Sequence, residues 1–402
     1  MSDARRSGFT ERTRVAAARD RILDVDPIHR TERVPLSAAD GRVVAAPVDA
    51  ARDVPHYARA AMDGWAVRAE DTFGASDRSP AVLRRADAVG PDAATRVHTG
   101  SELPDGADAV LKVERTEPVG DDLEVFDAVA EGENVAPVGE DVEAGQRLYD
   151  PGHRLRPSDL GLLKGAGIDV VEAAAVPEVA VIPTGEELVQ ADPDPGEVIE
   201  TNRFTVSRLA ERWGADVTRR NIVTDDADAL RAAVERDLTR DVVVTTGGSS
   251  VGDRDLIPDV VEDLGEVFVH GVALKPGHPV ALGRVEGVSV VMLPGYPVAA
   301  IVNAVQFLRP LIKHLGRMPS PPLPSREATL ARKIRSEPGV RTFVRVRLRE
   351  TEEGLEAAPT RASGAGVLSS VALADGWVVV PESREGIPEG EPVAVENWEY
   401  HV

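Results

Sequence analysis

The stretch that decides the fold is Val242-Val243-Val244-Thr245-Thr246-Gly247-Gly248-Ser249-Ser250-Val251-Gly252-Asp253. It begins as a short apolar run, which predicts a buried strand, and continues directly into two glycines. Glycines at the carboxyl end of a buried strand let backbone N–H groups approach a ligand, and the helix predicted to follow over 256–264 favours an anion there. The stretch has neither the Gly-Lys-Ser/Thr of a P-loop nor a GxGxxG fingerprint. Its pattern therefore predicts an anion site, or else a turn that only packs tightly.

A rhythm of strand and helix surrounds this stretch over 178–318. The apolar runs predict strands at Val179–Ile182, Ile222–Val223, Val242–Thr245 and Val288–Leu293. Helical spacing connects Val206, Leu209, Ala210 and Trp213 before Gly214, and then Leu230, Ala233, Val234 and Leu238 after Asp225 and Asp226, which stand where an N-cap belongs. Such alternation predicts a mostly parallel sheet covered on both faces, a doubly wound α/β domain.

Three further loops share the glycine and proline punctuation. They are Pro183-Thr184-Gly185-Glu186-Glu187, Lys275-Pro276-Gly277-His278-Pro279 and Leu293-Pro294-Gly295-Tyr296-Pro297. A single Pro-Gly is usually only a turn. Four such loops around one sheet, one of them with a lysine in a chain whose other cations are nearly all arginine, favour a phosphate pocket.

The flanking segments have a different texture. Residues 11–23 place Val15, Ala18 and Ile22 among charges, which predicts a surface helix. Residues 34–172 alternate short β-rich runs with turn dipeptides, which predicts a β domain and a connecting region rather than helices. Beyond the proline-rich linker 319–324, Val344, Val346 and Leu348 alternate with arginines, and Trp377–Val380 and Pro392–Val395 resemble further strands, so we expect a separate C-terminal β domain.

Composition limits the possible partners and sites. The chain of 402 residues has 68 acidic and 46 basic residues, a net charge of −22, which opposes binding to nucleic acid. The acidic residues are dispersed, which favours a surface suited to a salt-rich cytoplasm over an acidic tail. The absence of cysteine excludes disulfides, thiolate nucleophiles and cysteine metal sites. No signal peptide or membrane-spanning run is visible, so we expect a cytoplasmic protein without a membrane partner.

At these loops the sequence resembles the molybdopterin molybdenumtransferases of the MoeA and gephyrin E-domain type. The resemblance rests on six motifs in order: Ala60-Ala61-Met62-Asp63-Gly64-Trp65-Ala66, His98-Thr99-Gly100 through Val110, Gly132-Glu133-Asn134 through Asp141, Thr184-Gly185-Glu186-Glu187-Leu188, Thr246-Gly247-Gly248-Ser249-Ser250-Val251-Gly252 with Asp255, and Lys275-Pro276-Gly277-His278-Pro279. It covers nearly the whole chain.

The resemblance implies an elongated, multi-domain chain of class α/β plus β. Its parts would be an N-terminal helix packing with the α/β domain (1–26), a connecting domain (27–48 and 146–177), a β-rich domain (49–145), a molybdopterin-binding α/β domain (178–318) and a C-terminal β-barrel-like domain (325–402). It implies a homodimer with the active site shared between subunits. It also implies an enzyme that inserts molybdate into adenylylated molybdopterin and releases AMP with Mg²⁺, with the adenylylating enzyme as a possible partner.

The resemblance also assigns residues. The catalytic residues would be Asp63, Thr99, Asp141, Glu187, Asp225, Asp255 and Lys275, and Glu187, Asp225 and Asp255 would hold Mg²⁺. The pterin and its phosphate would contact Thr184, Gly185, Gly247, Gly248, Ser249, Ser250, Gly252, Pro276, Gly277, His278, Pro294, Gly295, Tyr296 and Pro297.

Two positions depart from the family pattern. His278 replaces a lysine and Tyr296 replaces an asparagine, which removes a fixed charge and an amide from the expected anion site. Three alternatives therefore stay open beside the transferase: a non-catalytic molybdopterin-binding scaffold, a tungstate-preferring paralogue, and an enzyme of the preceding adenylylation step.

Overall fold

The structure, a computed structural model, describes residues 12–247, 256–352, 354–360 and 364–400. These residues form two compact units, one made of the described parts of 1–30 and 174–402 and the other of 31–173. Within the described residues no helix is long and apolar enough to cross a membrane.

The first unit contains a six-stranded sheet with helices on both faces. The strands in spatial order are Asp216–Arg219, Glu178–Pro183, Val242–Thr246, Val288–Leu293, Ala281–Val285 and Glu266–His270. The first four are parallel, and the last two add an antiparallel edge. One face packs on Asn202–Arg212 and on the helical segment after Pro297, and the other packs on Ala227–Arg236 and Leu256–Leu264. The prediction of a doubly wound α/β domain is confirmed.

Local signals account for most of these boundaries. Asp226 is the N-cap of Ala227–Arg236, and its Oδ1 accepts a hydrogen bond from the Ala229 N–H at 2.9 Å. Gly214 follows the helix Asn202–Arg212 with a positive φ of 100°, as its predicted role as a stop requires.

Two predicted boundaries were wrong. The second strand is Asp216–Arg219 rather than Ile222–Val223, because Val223 makes only an isolated bridge to Thr184 after the chain has left the sheet. Leu238 lies beyond its helix, which ends at Arg236 with Asp237 as the C-cap.

The N-terminal helix is Val15–Leu23, and its residues Val15, Ala18 and Ile22 are fully buried. It packs on the last helical segment of the α/β fold, where Arg19 contacts Gln306. That segment consists of an α-helix Pro297–Asn303, a π-helical turn Ala304–Leu308 and a second α-helix Arg309–Leu315. The apolar face of the short N-terminal helix is therefore part of the main core of this unit.

The C-terminal part is a closed β-barrel, as predicted. Its strands are Arg341–Thr351, Gly354–Pro359, Ser325–Leu330, Pro392–Glu396 and Gly376–Val380, and pairing of the last with the first closes the ring. Leu274–Lys275 adds to Arg341–Thr351, and shorter elements are the strand pairs Ile334–Arg335 with Gly386–Ile387 and Leu188–Val189 with Val198–Ile199 and the helix Ser369–Ala372. The alternation of Val344, Val346 and Leu348 does predict a strand, but Arg345 is buried, because it donates to Ser370 Oγ at 3.3 Å under the short helix.

The second unit is β-rich, as predicted, around a six-stranded sheet. Its spatial order is Ala109–Lys112, Gly64–Val67, Ala93–Val97, Ala81–Arg85, Asp122–Val125 and Thr116–Val119. Three two-stranded pairs accompany it, Thr31–Pro35 with Val170–Ala174, Val48–Asp49 with Arg147–Tyr149, and Arg59–Ala60 with Val135–Ala136, together with single 3₁₀ turns at Leu36–Ala38, Ala69–Thr72 and Val113–Arg115.

The expectation of no helix over 34–172 was wrong, because Pro157–Gly165 is helical. Pro157 occupies the first helical turn, and the buried Asp159 accepts from the Arg156 N–H at 2.9 Å and from His153 Nε2 at 2.7 Å. A proline followed by an acidic residue was therefore a readable start signal that the turn dipeptides around it concealed.

We predict that Asp237→Asn destabilises the first unit. The Asp237 side chain is fully buried and accepts from Arg220 Nε and from an Arg236 N–H, both at 2.9 Å, so the change removes the partner of two cations. The free energy of unfolding measured in urea should fall by about 3 kcal/mol. Asp228→Asn, an exposed acid of the neighbouring helix, should change it by less than about 0.5 kcal/mol, and equal effects of the two variants would contradict this account.

Candidate functional site

Three of the four glycine-containing loops meet at the carboxyl edge of the parallel strands. The Thr184 N–H donates to the Thr246 carbonyl oxygen at 2.9 Å, and the Gly247 N–H donates to the Leu293 carbonyl oxygen at 3.1 Å. These two bonds join the ends of three neighbouring strands. The loops that begin at 183, 247 and 293 therefore lie together, as the pattern of strands and helices predicts.

Gly247 permits this closeness. Its φ is +108°, and a Cβ atom there would lie 2.1 Å from the Thr184 carbonyl oxygen. Gly295 lies on the other side, where its Cβ would be 3.5 Å from Gly247 Cα. The tight-packing interpretation of this glycine is thus correct, and it is compatible with an anion site, because close strand ends also bring their free N–H groups together.

Three threonine hydroxyls at this edge are buried. Thr184, Thr245 and Thr246 are at most 1% exposed, and their Oγ1 atoms form no hydrogen bond with the described residues. A buried hydroxyl without a partner costs free energy, so most such groups in proteins are satisfied. Three of them at one sheet edge are donors and acceptors for a polar ligand.

The loop that contains Lys275 is fixed to the same region by Asn303. Asn303 Nδ2 donates to the Gly277 carbonyl oxygen and to the Ala299 carbonyl oxygen, both at 2.9 Å. Gly277 has a φ of +111°, and a Cβ there would lie 2.2 Å from Asn303 Nδ2. Asn303 thus fastens the Lys275–Pro279 loop to the helix that begins at Pro297, while the Lys275 side chain stays exposed.

His278 lies in this loop beside the half-buried Pro276. Burial lowers the pKa of the His278 imidazole, and the neighbouring charges of Arg12 and Lys275 lower it further. A lowered pKa keeps the ring neutral at neutral pH. The substituted position therefore offers hydrogen bonding in place of the positive charge of a lysine.

Tyr296 follows Gly295 and directly precedes the helix. Its side chain is 64% exposed, whereas Pro294 beside it is buried and Pro297 is the first helical residue. The chain near 365 runs alongside, because the Val298 N–H donates to the Ala365 carbonyl oxygen at 3.0 Å. The exposed ring offers an aromatic surface at the rim of the site.

Two of the three predicted metal-binding carboxylates lie on adjoining loops. The Gly185 N–H donates to the Val223 carbonyl oxygen at 3.2 Å, which brings the loop of Glu187 beside the segment of Asp225. Glu187 is exposed and folds back towards Gly185, and Asp225 is half-buried. Their oxygen donors suit Mg²⁺ with water as further ligand. Among the described residues no group of three His, Asp or Glu forms a metal cluster, and Asp255, Gly248, Ser249, Ser250 and Gly252 lie outside the described ranges.

Asp63 and Thr99 form a pair in the second unit. Asp63 Oδ1 accepts from the Thr99 N–H at 2.7 Å and from Thr99 Oγ1 at 2.9 Å. The backbone hydrogen bond, followed by the hydroxyl one, lowers the pKa of this exposed carboxyl. Asp141 is also exposed and lies on a separate turn, where its N–H donates to the Val54 carbonyl oxygen at 2.9 Å.

Sequence reasoning missed two asparagines. Asn202 Nδ2 donates to the Gly295 carbonyl oxygen at 2.6 Å, and Asn303 holds the lysine loop. Asn303 is fully buried inside an otherwise apolar helical run, and a lone amide in such a run was the signal that could have revealed it. Asn202 stands at the start of a predicted helix, where it resembles an ordinary capping residue.

Three family models match the chain in order. They are described as "MoeA N-terminal region (domain I and II)" over residues 13–167, "Probable molybdopterin binding domain" over 180–314 and "MoeA C-terminal region (domain IV)" over 327–398.

Full-length relatives agree with these models. A protein of Methanocaldococcus jannaschii named "Putative molybdopterin biosynthesis protein" is 34% identical over 92% of this chain and 93% of its own. Molybdopterin molybdenumtransferase 2 of Mycobacterium tuberculosis is 32% identical over 78% of this chain and 82% of its own. The crystal structure of the molybdopterin biosynthesis MoeA protein from Pyrococcus horikosii superposes with a TM-score of 0.83 at 34% identity, covering 96% of this chain and 99% of that one. By its sequence and by its fold, this chain belongs to the MoeA family.

Proposed function

We propose that this protein transfers molybdate onto the dithiolene of adenylylated molybdopterin and releases AMP, as the final step of molybdenum cofactor synthesis. The observation that carries the proposal is the meeting of strand-end loops, with Glu187 and Asp225 on adjoining loops beside three buried hydroxyls without partners. The names of its relatives, molybdopterin molybdenumtransferases among them, support a transferase of this pathway.

The site residues divide into anion-binding and carboxylate groups. Lys275 and the backbone N–H groups of the loop that begins at Gly247 would neutralise the phosphate of the adenylylated substrate. Glu187 and Asp225, with Asp255, would hold Mg²⁺, which supplies charge neutralisation at the phosphoanhydride when it is bound. Thr184, Thr245 and Thr246 can donate to the pterin or to molybdate from the floor of the site.

The two departures fit this role. A neutral His278 still donates one hydrogen bond and accepts another, and the Tyr296 ring adds a surface on which a flat pterin can stack. The loss of one fixed charge is expected to matter for the affinity of the oxyanion, and so for the choice between molybdate and tungstate.

We propose in addition that the protein works in a salt-rich cytoplasm, where exposed charges more than a few ångströms apart are screened. The supporting observation is the dispersed net charge of −22. Assays therefore belong at molar potassium chloride, and activity retained in full at millimolar salt would count against this part of the proposal.

We predict that Glu187→Gln and Asp225→Asn each lower kcat by about 100-fold, because each removes a negative charge from the site that neutralises the phosphoanhydride through its cation. The measurement follows AMP release and metal retained on the pterin, with adenylylated molybdopterin, Mg²⁺ and either molybdate or tungstate. Asp255→Ala belongs in the same series. Glu186→Gln is the matched control, since it changes an exposed acid one residue away.

Wild-type turnover that depends on the oxyanion, together with activity in the control, would support the transferase. Tight pterin binding by a folded protein without turnover would instead favour the non-catalytic scaffold and direct attention to His278 and Tyr296.

We also propose a homodimer in which the Asp63 and Thr99 of one copy act with the α/β domain of the other. Its support is the resemblance to the family together with the ordered Asp63–Thr99 pair. If the site is shared, co-expressed Asp63→Ala and Glu187→Gln chains should regain roughly a quarter of the wild-type activity, because half of the pairs then contain one intact site of two. Mixed chains that stay as inactive as the separate variants would contradict the shared site.

The pKa of Asp63 gives a further prediction. Thr99→Val removes the hydroxyl donor and keeps the backbone one, so the lowered pKa of Asp63 should rise towards its ordinary value. The wild-type carboxylate stays ionised to lower pH, so the acid limb of the kcat/KM profile should move to higher pH in the variant.

Carbon-detected NMR titration of the Asp63 carboxyl gives the same quantity without substrate. Ser101→Ala is the control, because Ser101 Oγ donates to the His98 carbonyl oxygen of the same loop at 2.6 Å. An unchanged Asp63 titration in Thr99→Val would show that the hydroxyl contributes nothing.

A further inference from the structure

A second cavity lies in the first unit, away from the strand ends. Its volume is about 630 Å³, and it is enclosed by the N-terminal helix, the π-helical turn with the helix after it, the linker 319–324 and the C-terminal barrel. None of the predicted site residues lines it. The volume is in the range of pockets that bind small organic ligands.

The cavity contains three arginines and one carboxylate. Arg19, Arg309 and Arg341 line it together with Glu396. Arg341 is paired with Glu382 outside the cavity lining, with NH2 at 3.1 Å from Oε2, and Glu396 Oε2 accepts from Trp377 Nε1 at 2.9 Å. These two residues thus have partners of their own.

Arg19 and Arg309 contact only neutral acceptors. Arg19 donates to Gln306 Oε1 at 2.7 Å and to the Gln306 carbonyl oxygen at 3.3 Å, and Arg309 donates to the Pro321 carbonyl oxygen at 3.0 Å. Neither lies within ion-pair distance of a carboxylate among the described residues, and the Nε of Arg309, whose exposure is only 9%, forms no hydrogen bond there. A guanidinium has five N–H donors, so each of these two has donors left for a ligand.

The electrostatic cost of this arrangement is visible in both side chains. Burial lowers the pKa of Arg19 and that of Arg309, and the positive charge of Arg341 lowers the former and that of Arg19 lowers the latter. In a chain with a net charge of −22, acidic partners are abundant, yet these two arginines have none at hand. An anion in the cavity would offset the cost of burying the charges.

The backbone at this point is unusual in a second way. Gln306, the partner of Arg19, lies in the π-helical turn Ala304–Leu308, and Arg309 is the residue directly after it. Such turns occur as single irregularities in α-helices and are frequent at functional sites. The remaining lining includes apolar side chains such as Phe343 and Leu23, which can cover an organic group next to the anion.

We propose that this cavity binds a small phosphate-bearing molecule, whose phosphate is held between Arg19 and Arg309 while its organic part lies on the apolar lining near Phe343. Arginine suits this role because its planar fork makes paired hydrogen bonds to phosphate oxygens. Glu396 limits the anion to the arginine side of the cavity.

The test measures binding by calorimetry and by thermal shift, with inorganic phosphate, phenyl phosphate and phenol as probes at constant ionic strength in chloride. Both phosphates should bind saturably and phenol should not, and phenyl phosphate should bind more tightly because of the apolar lining. Arg19→Gln should weaken both by about tenfold, the usual effect of one charge-assisted hydrogen bond. Arg14→Gln is the control, since it removes the same charge at the exposed start of the same helix.

Gln306→Glu provides a variant that keeps the helix intact. Its carboxylate would take the place of the anion beside Arg19, so the melting temperature without phosphate should rise and the response to phosphate should disappear. Equal affinity for inorganic and phenyl phosphate would identify free phosphate as the source and still support the site. Binding that is unchanged in both Arg19→Gln and Gln306→Glu would overturn the proposal and leave an adventitious ion only. No pterin is present in this experiment, so its outcome is independent of the transferase activity.

Discussion

The close backbone contact between Gly247 and Thr184 is the constraint on which the site depends. Parallel strands end at the same edge, and here their ends are joined directly by hydrogen bonds from Thr184 to Thr246 and from Gly247 to Leu293. A side chain at 247 would separate these loops, since its first carbon would overlap the Thr184 carbonyl oxygen. The position of Glu187, of the buried threonine hydroxyls and of the Gly295 loop all follow from that one approach.

A second layer of contacts holds the site from behind. Asn202 and Asn303 each bind a loop carbonyl, so the Gly295 and Gly277 turns are fixed to helices instead of standing free. Rigid attachment of this kind keeps a binding site in its productive geometry before the ligand arrives. The site is therefore defined as much by two neutral amides as by its charged residues.

Sequence patterns predicted the elements whose signals are local. The buried strands, the Asp226 cap and the Gly214 stop were correct because each depends on neighbouring residues. The predictions failed where distant contacts decide. Arg345 is buried because a helix 25 residues further on covers it, and Val223 leaves its strand to bridge Thr184. Asn202 and Asn303 escaped notice for the same reason, since their partners lie 93 and 26 residues away. The loops of the site were predictable, whereas the residues that fasten them were not.

The π-helical turn at Ala304–Leu308 has a consequence for how this chain can vary. One extra residue in a turn rotates everything after it by about 100° relative to a regular α-helix. Removing a single residue from the turn would restore regular geometry and at the same time turn Arg309 away from Arg19, while Pro297–Asn303 stayed where it is. The helical phase thus acts as a molecular ruler with two separate settings: the half before the turn serves the strand-end loops, and the half after it serves the arginine cavity.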